Sequence, residues 1–188
     1  GERAIGGEPV LIAPDVRIVG NINEFTASLS GSLVYRDGGS GQERLVALDR
    51  KGRRLRAIGD MTRVSEPALS PDGHQIAVTQ SGTGGRDIHV IDVDRNVSMG
   101  FAATPDDERS PVWSPDGNRI AYASTHEGMT DLYVKEVGGT RAGELLLRSD
   151  EPKTPNDWSR DNAYLLFTSV SPTTGADLWA LSLGDRKA

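Results

Sequence analysis

Short apolar runs alternate with polar turns along this chain. Two runs, Ile76–Thr79 and Ile120–Ala123, each follow the tetrapeptide Ser-Pro-Asp-Gly, and a third, Tyr164–Phe167, follows the related Ser-Arg-Asp-Asn. After each run, a second strand-like stretch opens with an acidic residue: Asp87, Asp131 and Asp177. Runs of this length between turn residues are typical of β-strands. The pattern therefore predicts an all-β protein built from repeated units.

The units recur about every 44 residues. The acidic residues are spaced 44, 44 and 46 residues apart when Glu43 is counted as the first. Three prolines are spaced 44 and 44 residues apart: Pro67, Pro111 and Pro155. A fixed period of this size indicates one supersecondary unit copied several times. A degenerate copy from Ala27 to Tyr35 makes four copies, of which the first and last are imperfect, as is expected of terminal repeats.

One copy contains four predicted strands. In the third copy these are Ser110–Ser114, Ile120–Ser124, Asp131–Val137 and Glu144–Arg148. Pro115 presets φ for the turn between the first two strands, and the glycine and asparagine after it tolerate positive φ. Four antiparallel strands in one such unit form a blade of a β-propeller. We therefore expect a single β-propeller domain of about four four-stranded blades.

The predicted blades leave two arrangements open. One domain spans residues 1–188, with blades at 23–60, 66–104, 109–150 and 153–188. The fourth blade lacks an outer strand, while residues 8–13 look like an orphan outer strand that could complete it and remove an open edge. The ring is then either a small closed propeller, or an arc or half of a larger one. A third arrangement is a homodimer in which two chains together form a larger ring.

The repeated block resembles a known propeller repeat. Ser-Pro-Asp-Gly, an Ile-Ala-aromatic strand and an Asp-aliphatic-aromatic-Val strand resemble the WD40-like (PD40) repeat of the TolB family across residues 8–188. Similar repeats occur in prolyl-oligopeptidase-type propellers and in C-terminal propellers of bacterial serine/threonine kinases, which the segments Gly31–Gly52 and Asp157–Trp179 resemble most. The resemblance implies a bacterial propeller outside the cytoplasm, periplasmic or extracellular. It says little about activity, because propellers host many functions. Arg160 and Asn162 stand where the family has proline and glycine.

Composition excludes several classes of function. The net charge is −6 and the pI is about 5.1, which disfavours nucleic acid and anionic membranes as partners. The chain has no cysteine, so it has neither disulfides nor thiolate metal sites. No apolar segment approaches the roughly 18 residues of a membrane-spanning helix, so we expect no membrane insertion. No phosphate-binding loop or nucleophile elbow is present.

Three groups of residues invite a chemical interpretation but have a structural one. Turn aspartates lock hairpins by accepting backbone hydrogen bonds: Asp72, Asp116 and Asp161. Aromatic residues at repeat-equivalent positions are expected to pack between blades: Trp113, Tyr122, Tyr133, Trp158, Tyr164, Phe167 and Trp179. Asp92, Asp94 and Asn96 match only half of a calcium loop. We therefore predict no metal and no cofactor.

The candidate binding site is the mouth of the propeller channel. Glu66, Ser110 and Thr154 precede the repeat prolines, where the first strands start. Three further residues lead into the same place in the third copy: Asp106, Asp107 and Arg109. Ligand sites gather where loops from several blades converge. An acidic mouth favours cations or basic peptide segments.

The favoured function is a non-enzymatic module that binds a protein or peptide partner. Whether the chain is an enzyme stays open, and two alternatives remain. One is a carboxylate- or metal-dependent hydrolase or lyase with its site at the channel mouth. The other is a propeller fragment of a larger sensor or kinase protein.

Overall fold

The computed structural model describes residues 18–19, 22–28, 31–37, 44–49, 51–59, 63–102, 104–126 and 128–184. Within these ranges the chain forms β-strands and turns and no helix. The described residues therefore include no helix that is long and apolar enough to cross a membrane. The strands of the first half are β1 (Ile18–Val19), β2 (Ile22–Asn23), β3 (Phe25–Ala27), β4 (Leu33–Asp37), β5 (Arg44–Leu48), β6 (Arg54–Ile58), β7 (Val64–Leu69), β8 (Gln75–Gly82) and β9 (Gly85–Asp92). Those of the second half are β10 (Val97–Ala102), β11 (Asp107–Trp113), β12 (Arg119–His126), β13 (Met129–Glu136), β14 (Glu144–Leu147), β15 (Lys153–Trp158), β16 (Tyr164–Ser171) and β17 (Gly175–Ser182).

The strands form four successive antiparallel sheets, preceded by the short pair β1–β2. The first, second and third sheets each contain four strands in chain order: β3–β6, β7–β10 and β11–β14. The fourth sheet contains three strands in the described part of the chain: β15–β17. This architecture confirms the predicted all-β propeller fold. The predicted orphan strand at residues 8–13 lies outside the described residues.

The turn between the first two strands of each unit has the predicted chemistry. In the third sheet, Asp116 Oδ1 accepts hydrogen bonds from Ser114 Oγ at 2.5 Å and from the Asn118 backbone N–H at 3.0 Å. Equivalent bonds connect Asp72 to Ser70 and His74, and Asp161 to Ser159 and Ala163. Gly117 has φ +72° and Asn162, its counterpart in the fourth sheet, has φ +62°. Both residue types tolerate this left-handed conformation, so the weakened fourth copy keeps the same turn.

Three of the core clusters formed by the described residues lie between neighbouring sheets. Val34 and Leu45 of the first sheet pack with Ile76 and Val78 of the second. The second and third sheets bury a cluster that includes Ala77, Ile88, Phe101, Trp113, Ile120 and Tyr122. The third and fourth sheets bury Ala121, Leu132, Val134, Trp158, Leu165 and Phe167. Each sheet therefore gains its burial from the next one, as packed propeller blades do.

Strand register corrects the alignment of the last copy. Leu165 lies opposite Trp158 as Ile120 lies opposite Trp113, so Leu165, and not Tyr164, is the equivalent of Ile120. Tyr164 is 47% exposed and Trp179 is 55% exposed. The prediction that these two aromatics pack between blades is therefore wrong, whereas Trp113, Tyr122, Trp158 and Phe167 are buried as predicted.

The two ends of the sheet array differ. Apolar residues on the outward face of the first sheet are buried: Tyr35, Val46 and Leu48. The outward face of the fourth sheet exposes Leu178 to 71% and Val170 to 49%. Over the described ranges, the four sheets therefore form an arc whose last face is open to solvent.

Candidate functional site

Glu66, a predicted mouth residue, ties the second sheet to the third. Its Oε2 accepts hydrogen bonds from the Ser110 backbone N–H at 2.8 Å and from Thr79 Oγ1 at 2.7 Å, and its Oε1 accepts one from Ser110 Oγ at 3.1 Å. Glu66 and Ser110 both have positive φ, at bulges of β7 and β11. The Glu66 backbone N–H in turn donates to Glu24 Oε2 of the preceding unit at 3.0 Å. The structure thus brings Glu66 and Ser110 together, and the Glu66 carboxylate is occupied by contacts within the fold.

Asp107 is also held by a partner on the second sheet. Arg86 Nε lies 3.0 Å from both Asp107 carboxylate oxygens, and the Arg86 backbone N–H donates to Oδ1 at 2.8 Å. These hydrogen bonds lower the pKa of the Asp107 carboxyl, against the opposing effect of partial burial. Asp107 is therefore an anion that is already neutralised by Arg86.

The remaining mouth residues lie on β11, β15 and the loop before β11. The Asp106 backbone N–H donates to Thr104 Oγ1 at 3.2 Å, and Arg109 Nη2 donates to Thr130 Oγ1 at 3.4 Å. Thr154 pairs with Thr168 in the fourth sheet, and Arg109 pairs with Ala123 in the third. These two pairs occupy the same position in the register of their sheets. Thr154 is therefore equivalent to Arg109 by strand pairing and not to Ser110, because the fourth copy places its bulge one residue later.

Glu108, between two predicted mouth residues, is a buried carboxyl that the sequence analysis missed. Its side chain is inaccessible to solvent, Thr104 Oγ1 donates to Oε1, and Oε2 has no hydrogen-bond partner among the described residues. Burial, which is the largest cause, and the nearby anions Asp87 and Asp106 together raise the pKa of Glu108 to about 7, against the lowering effect of the Thr104 hydrogen bond. A raised carboxyl pKa is a feature of catalytic acids. Glu108 has no exposed surface through which it could reach a substrate.

No group of three or more histidine or carboxylate residues in the described part of the chain is arranged to hold a metal ion. Asp92, the first residue of the half calcium loop, instead caps its own turn. Its Oδ1 accepts hydrogen bonds from the backbone N–H groups of Asp94 and Arg95, at 3.0 and 2.9 Å.

One concave feature of the described residues is a groove along the inner strands, which we call the axial groove. It has a volume of about 370 Å³ and is lined from all four sheets: Thr26, Ala27, Pro67, Ala68, Leu69, Pro71, Pro111, Val112, Trp113, Pro115, Asn156, Asp157, Trp158 and Arg160. These residues come from the end of β3, from the second halves of β7, β11 and β15, and from the turns after β7, β11 and β15. The predicted mouth residues lie in or before the first halves of the same strands. The groove is therefore displaced along the inner strands from the predicted site.

The groove wall changes between the third and fourth sheets. Trp113 Nε1 donates to the Ala68 backbone carbonyl at 2.8 Å, across the second and third sheets. Trp158 occupies the equivalent place in the fourth sheet and is also buried, but its Nε1 has no hydrogen-bond partner among the described residues. Arg160 occupies the place of Pro71 and Pro115. A repeat alignment flags Arg160 as a departure, but the state of the indole nitrogen is visible only in three dimensions.

Comparison with known proteins decides the family. The family model of the TolB beta propeller domain (PD40) matches residues 28–178, which is most of the chain. The chain belongs to the TolB beta-propeller family. No curated protein shows significant similarity to it in a sequence comparison.

Solved structures with the same fold include TolB proteins. The TolB-family chain described here is similar to a putative TolB from Agrobacterium tumefaciens, with a TM-score of 0.77 and 19% identity over 86% of this chain and 61% of that one. TolB from Acinetobacter baumannii gives a TM-score of 0.74 and 15% identity over 86% of this chain and 41% of that one. A puromycin-hydrolyzing peptidase from Mycobacterium tuberculosis gives a TM-score of 0.62 and 22% identity over 85% of this chain and 27% of that one. At these identities the likeness shows the fold alone, and the chain spans less than two thirds of each of these structures.

Proposed function

We propose that this TolB-family propeller is a non-enzymatic module that binds an extended segment of a protein or peptide in its axial groove. The observation that carries the proposal is that one cavity is lined by the inner strands of all four sheets. A segment lying there contacts several units at once, so its affinity sums over the repeats. The volume of about 370 Å³ falls within the range of roughly 300–1,000 Å³ typical of ligand sites.

The wall chemistry suits a peptide. Four prolines and two tryptophans provide rigid apolar surface: Pro67, Pro71, Trp113, Pro111, Pro115 and Trp158. Asn156, Asp157 and Arg160 provide polar groups at the fourth sheet, where they can fix orientation. Aromatic and arginine residues often dominate binding energy at interfaces.

The predicted mouth residues remain proposed secondary contacts. The carboxylates of Glu66 and Asp107 already have partners in the fold, which makes these two residues weaker candidates for contact with a partner. An extracytoplasmic location, a bacterial origin and homodimerisation also remain proposals. The hydrolase or lyase alternative gains no support from Glu108, because its carboxyl is shielded from solvent.

Selection of binding peptides from a random displayed library tests the proposal. Ala27 lines the groove and is exposed, so Ala27→Trp should fill the groove without disturbing the core. Ala176→Trp, at an exposed position on β17 away from the groove, is the matched control. We expect peptides selected on the wild type to bind the control and lose most of their affinity for Ala27→Trp. Equal binding to both variants would contradict the proposed site.

A further inference from the structure

Arg160 brings to the axial groove a positive charge that no described residue neutralises through an ion pair. It stands where the second and third sheets have Pro71 and Pro115, and its side chain is exposed. Its guanidinium forms no hydrogen bond or ion pair with any described residue. By contrast, Arg119 on the neighbouring sheet stacks on the Trp158 ring, 5.0 Å from its centre, and donates to Asn162 Oδ1.

The indole N–H of Trp158, a residue that lines the same wall, is a second donor and is buried behind the groove surface. The equivalent N–H of Trp113 donates to the carbonyl of Ala68, a residue that also lines the groove. Strand pairing makes Val112 the counterpart of Ala68, yet Trp158 Nε1 has no partner in the part of the chain that the structure describes. A buried N–H without an acceptor is unfavourable, because it has lost its hydrogen bonds to water without replacement. An acceptor that enters between the third and fourth sheets removes that cost.

We infer that Arg160 and the indole N–H of Trp158 form a carboxylate subsite of the axial groove, which receives the C-terminal carboxylate of a bound peptide. The inference rests on the proposed function and adds a direction to it. The peptide ends at the fourth sheet and extends from there along the inner strands toward the first.

The chemistry of the wall selects a carboxylate. Indole and guanidinium groups only donate hydrogen bonds, so their common ligand must be an acceptor. Arginine binds a carboxylate through two parallel hydrogen bonds. Asp157 also lines the groove, with its Oδ1 accepting the Trp158 backbone N–H at 2.9 Å. Its negative charge, together with the net charge of −6, disfavours a phosphate dianion relative to a monoanionic carboxylate.

The size of the groove favours a chain terminus over an internal acidic side chain. Its volume of about 370 Å³ is at the low end of ligand sites, so it holds only a short stretch of peptide. A chain terminus places its charge at the fourth sheet while the chain leaves in one direction. An internal acidic residue requires room for chain on both sides of that position.

Titration of ¹⁵N-labelled protein with three tripeptides tests the inference. The probes are N-acetyl-Ala-Leu-Ala as the acid, the same peptide as the amide, and N-acetyl-Ala-Asp-Ala amide. The indole N–H resonance of Trp158, assigned with Trp158→Phe, reports on the subsite. We expect the acid to shift this resonance and to bind about tenfold to a hundredfold more tightly than the amide. Arg160→Gln should abolish that preference, and Arg54→Gln, at an exposed position on β6, should preserve it.

The outcomes separate this inference from the proposed function. Equal binding of acid and amide in the groove, or an unchanged preference in Arg160→Gln, overturns the carboxylate subsite and leaves the groove as a peptide site. Binding of the internal-aspartate amide as tight as that of the acid overturns the assignment to a chain terminus. If no peptide form shifts any groove resonance, the proposed function fails together with the subsite.

Discussion

The interface between the second and third sheets differs from the one between the third and fourth sheets in the charge that it buries. An ionisable side chain occupies the same register position in each, but it is an acid in the first interface and a base in the second. Asp87 and Asp131 occupy equivalent positions, opposite Gln80 and Ser124. In the first interface Asp87 lies near Glu108, whose pKa it helps to raise. In the second, Asp131 lies 3.1 Å from the ammonium group of Lys153, the register equivalent of Glu108. The buried Glu108 therefore has a raised pKa, whereas the buried Lys153 has a salt bridge to Asp131.

This difference shows which parts of a repeat can vary. The apolar positions and the turn aspartates recur because every sheet needs the same packing and the same hairpin. The buried polar position at the start of the inner strand only has to be satisfied locally, so it can be an acid or a base. Lys153 meets this condition with three acceptors: Asp131 Oδ1, the Ser149 carbonyl and the Glu151 carbonyl. Glu108 meets it only in part, because one oxygen has no partner.

The largest expected effect comes from breaking the buried salt bridge. Lys153→Met removes the ammonium group and leaves the buried Asp131 carboxylate with Arg148 alone, whose Nε lies 3.0 Å away. We expect a loss of about 3–5 kcal/mol in the free energy of unfolding, measured by urea denaturation. Lys51→Met, at an exposed turn, is the control and should change stability by less than about 0.5 kcal/mol. Similar losses in both variants would contradict the importance of this pair.

The next effect compares the covered face of the third sheet with the open face of the fourth. Leu132 is fully buried and its counterpart Leu178 is 71% exposed. Leu132→Ala should cost about 2–5 kcal/mol because it leaves a cavity, whereas Leu178→Ala should cost less than about 0.5 kcal/mol. Denaturant titration of the two variants measures the difference. A large cost for Leu178→Ala would show that its face is covered in solution.

A pH-dependent effect isolates Glu108. Its folded pKa of about 7 lies above the ordinary carboxyl value of 4.5, so the folded state holds a proton that the unfolded state releases. Its contribution to stability is fully present below about pH 4.5 and is lost as the pH rises through 7. The full loss is about 3 kcal/mol, because one pKa unit corresponds to about 1.4 kcal/mol.

Glu108→Gln, which cannot ionise, should remove that loss. Thermal unfolding between pH 5 and 8 is the measurement, and the variant should show the flatter profile. Three other ionisable residues face Glu108 and are unchanged in the variant: Asp87, Asp106 and Tyr122. The difference between the two pH profiles therefore reports on Glu108. An unchanged profile would mean that Glu108 is ionised in the fold.

The smallest expected effect concerns the turns, where the two regions agree. Asp116→Ala and Asp161→Ala each remove an acceptor of one hydroxyl and one backbone hydrogen bond. We expect Asp116→Ala to cost about 1 kcal/mol at pH 7 and Asp161→Ala to lower stability in the same direction. These hydrogen bonds lower the pKa of the Asp116 carboxyl, so its contribution is present above the unfolded pKa of 3.8 and is lost as the pH falls below it. A much smaller cost in the fourth sheet would show that its turn is not equivalent.

The sequence was sufficient for the fold because local rules repeat in it. Pro115, Asp116 and Gly117 specify a turn through their own backbone preferences, and the 44-residue period places the sheets side by side. The site depends on contacts between units. The partners of Glu66 lie 13 and 44 residues away, and the buried state of Glu108 depends on the sheet before it. A repeat alignment contains neither kind of information, nor could it show that Trp158 lacks the acceptor that Trp113 has.

Mapping a bound peptide onto the fold tests the central claim most directly. The measurement is the change in backbone amide chemical shifts when a peptide selected on the wild-type protein is added. The axial-groove account predicts changes on the inner strands of all four sheets: Thr26, Leu69, Val112 and Asn156. Changes confined to Glu66, Asp106, Asp107, Arg109 and Ser110, with the groove residues unaffected, would contradict it and return the site to the channel mouth.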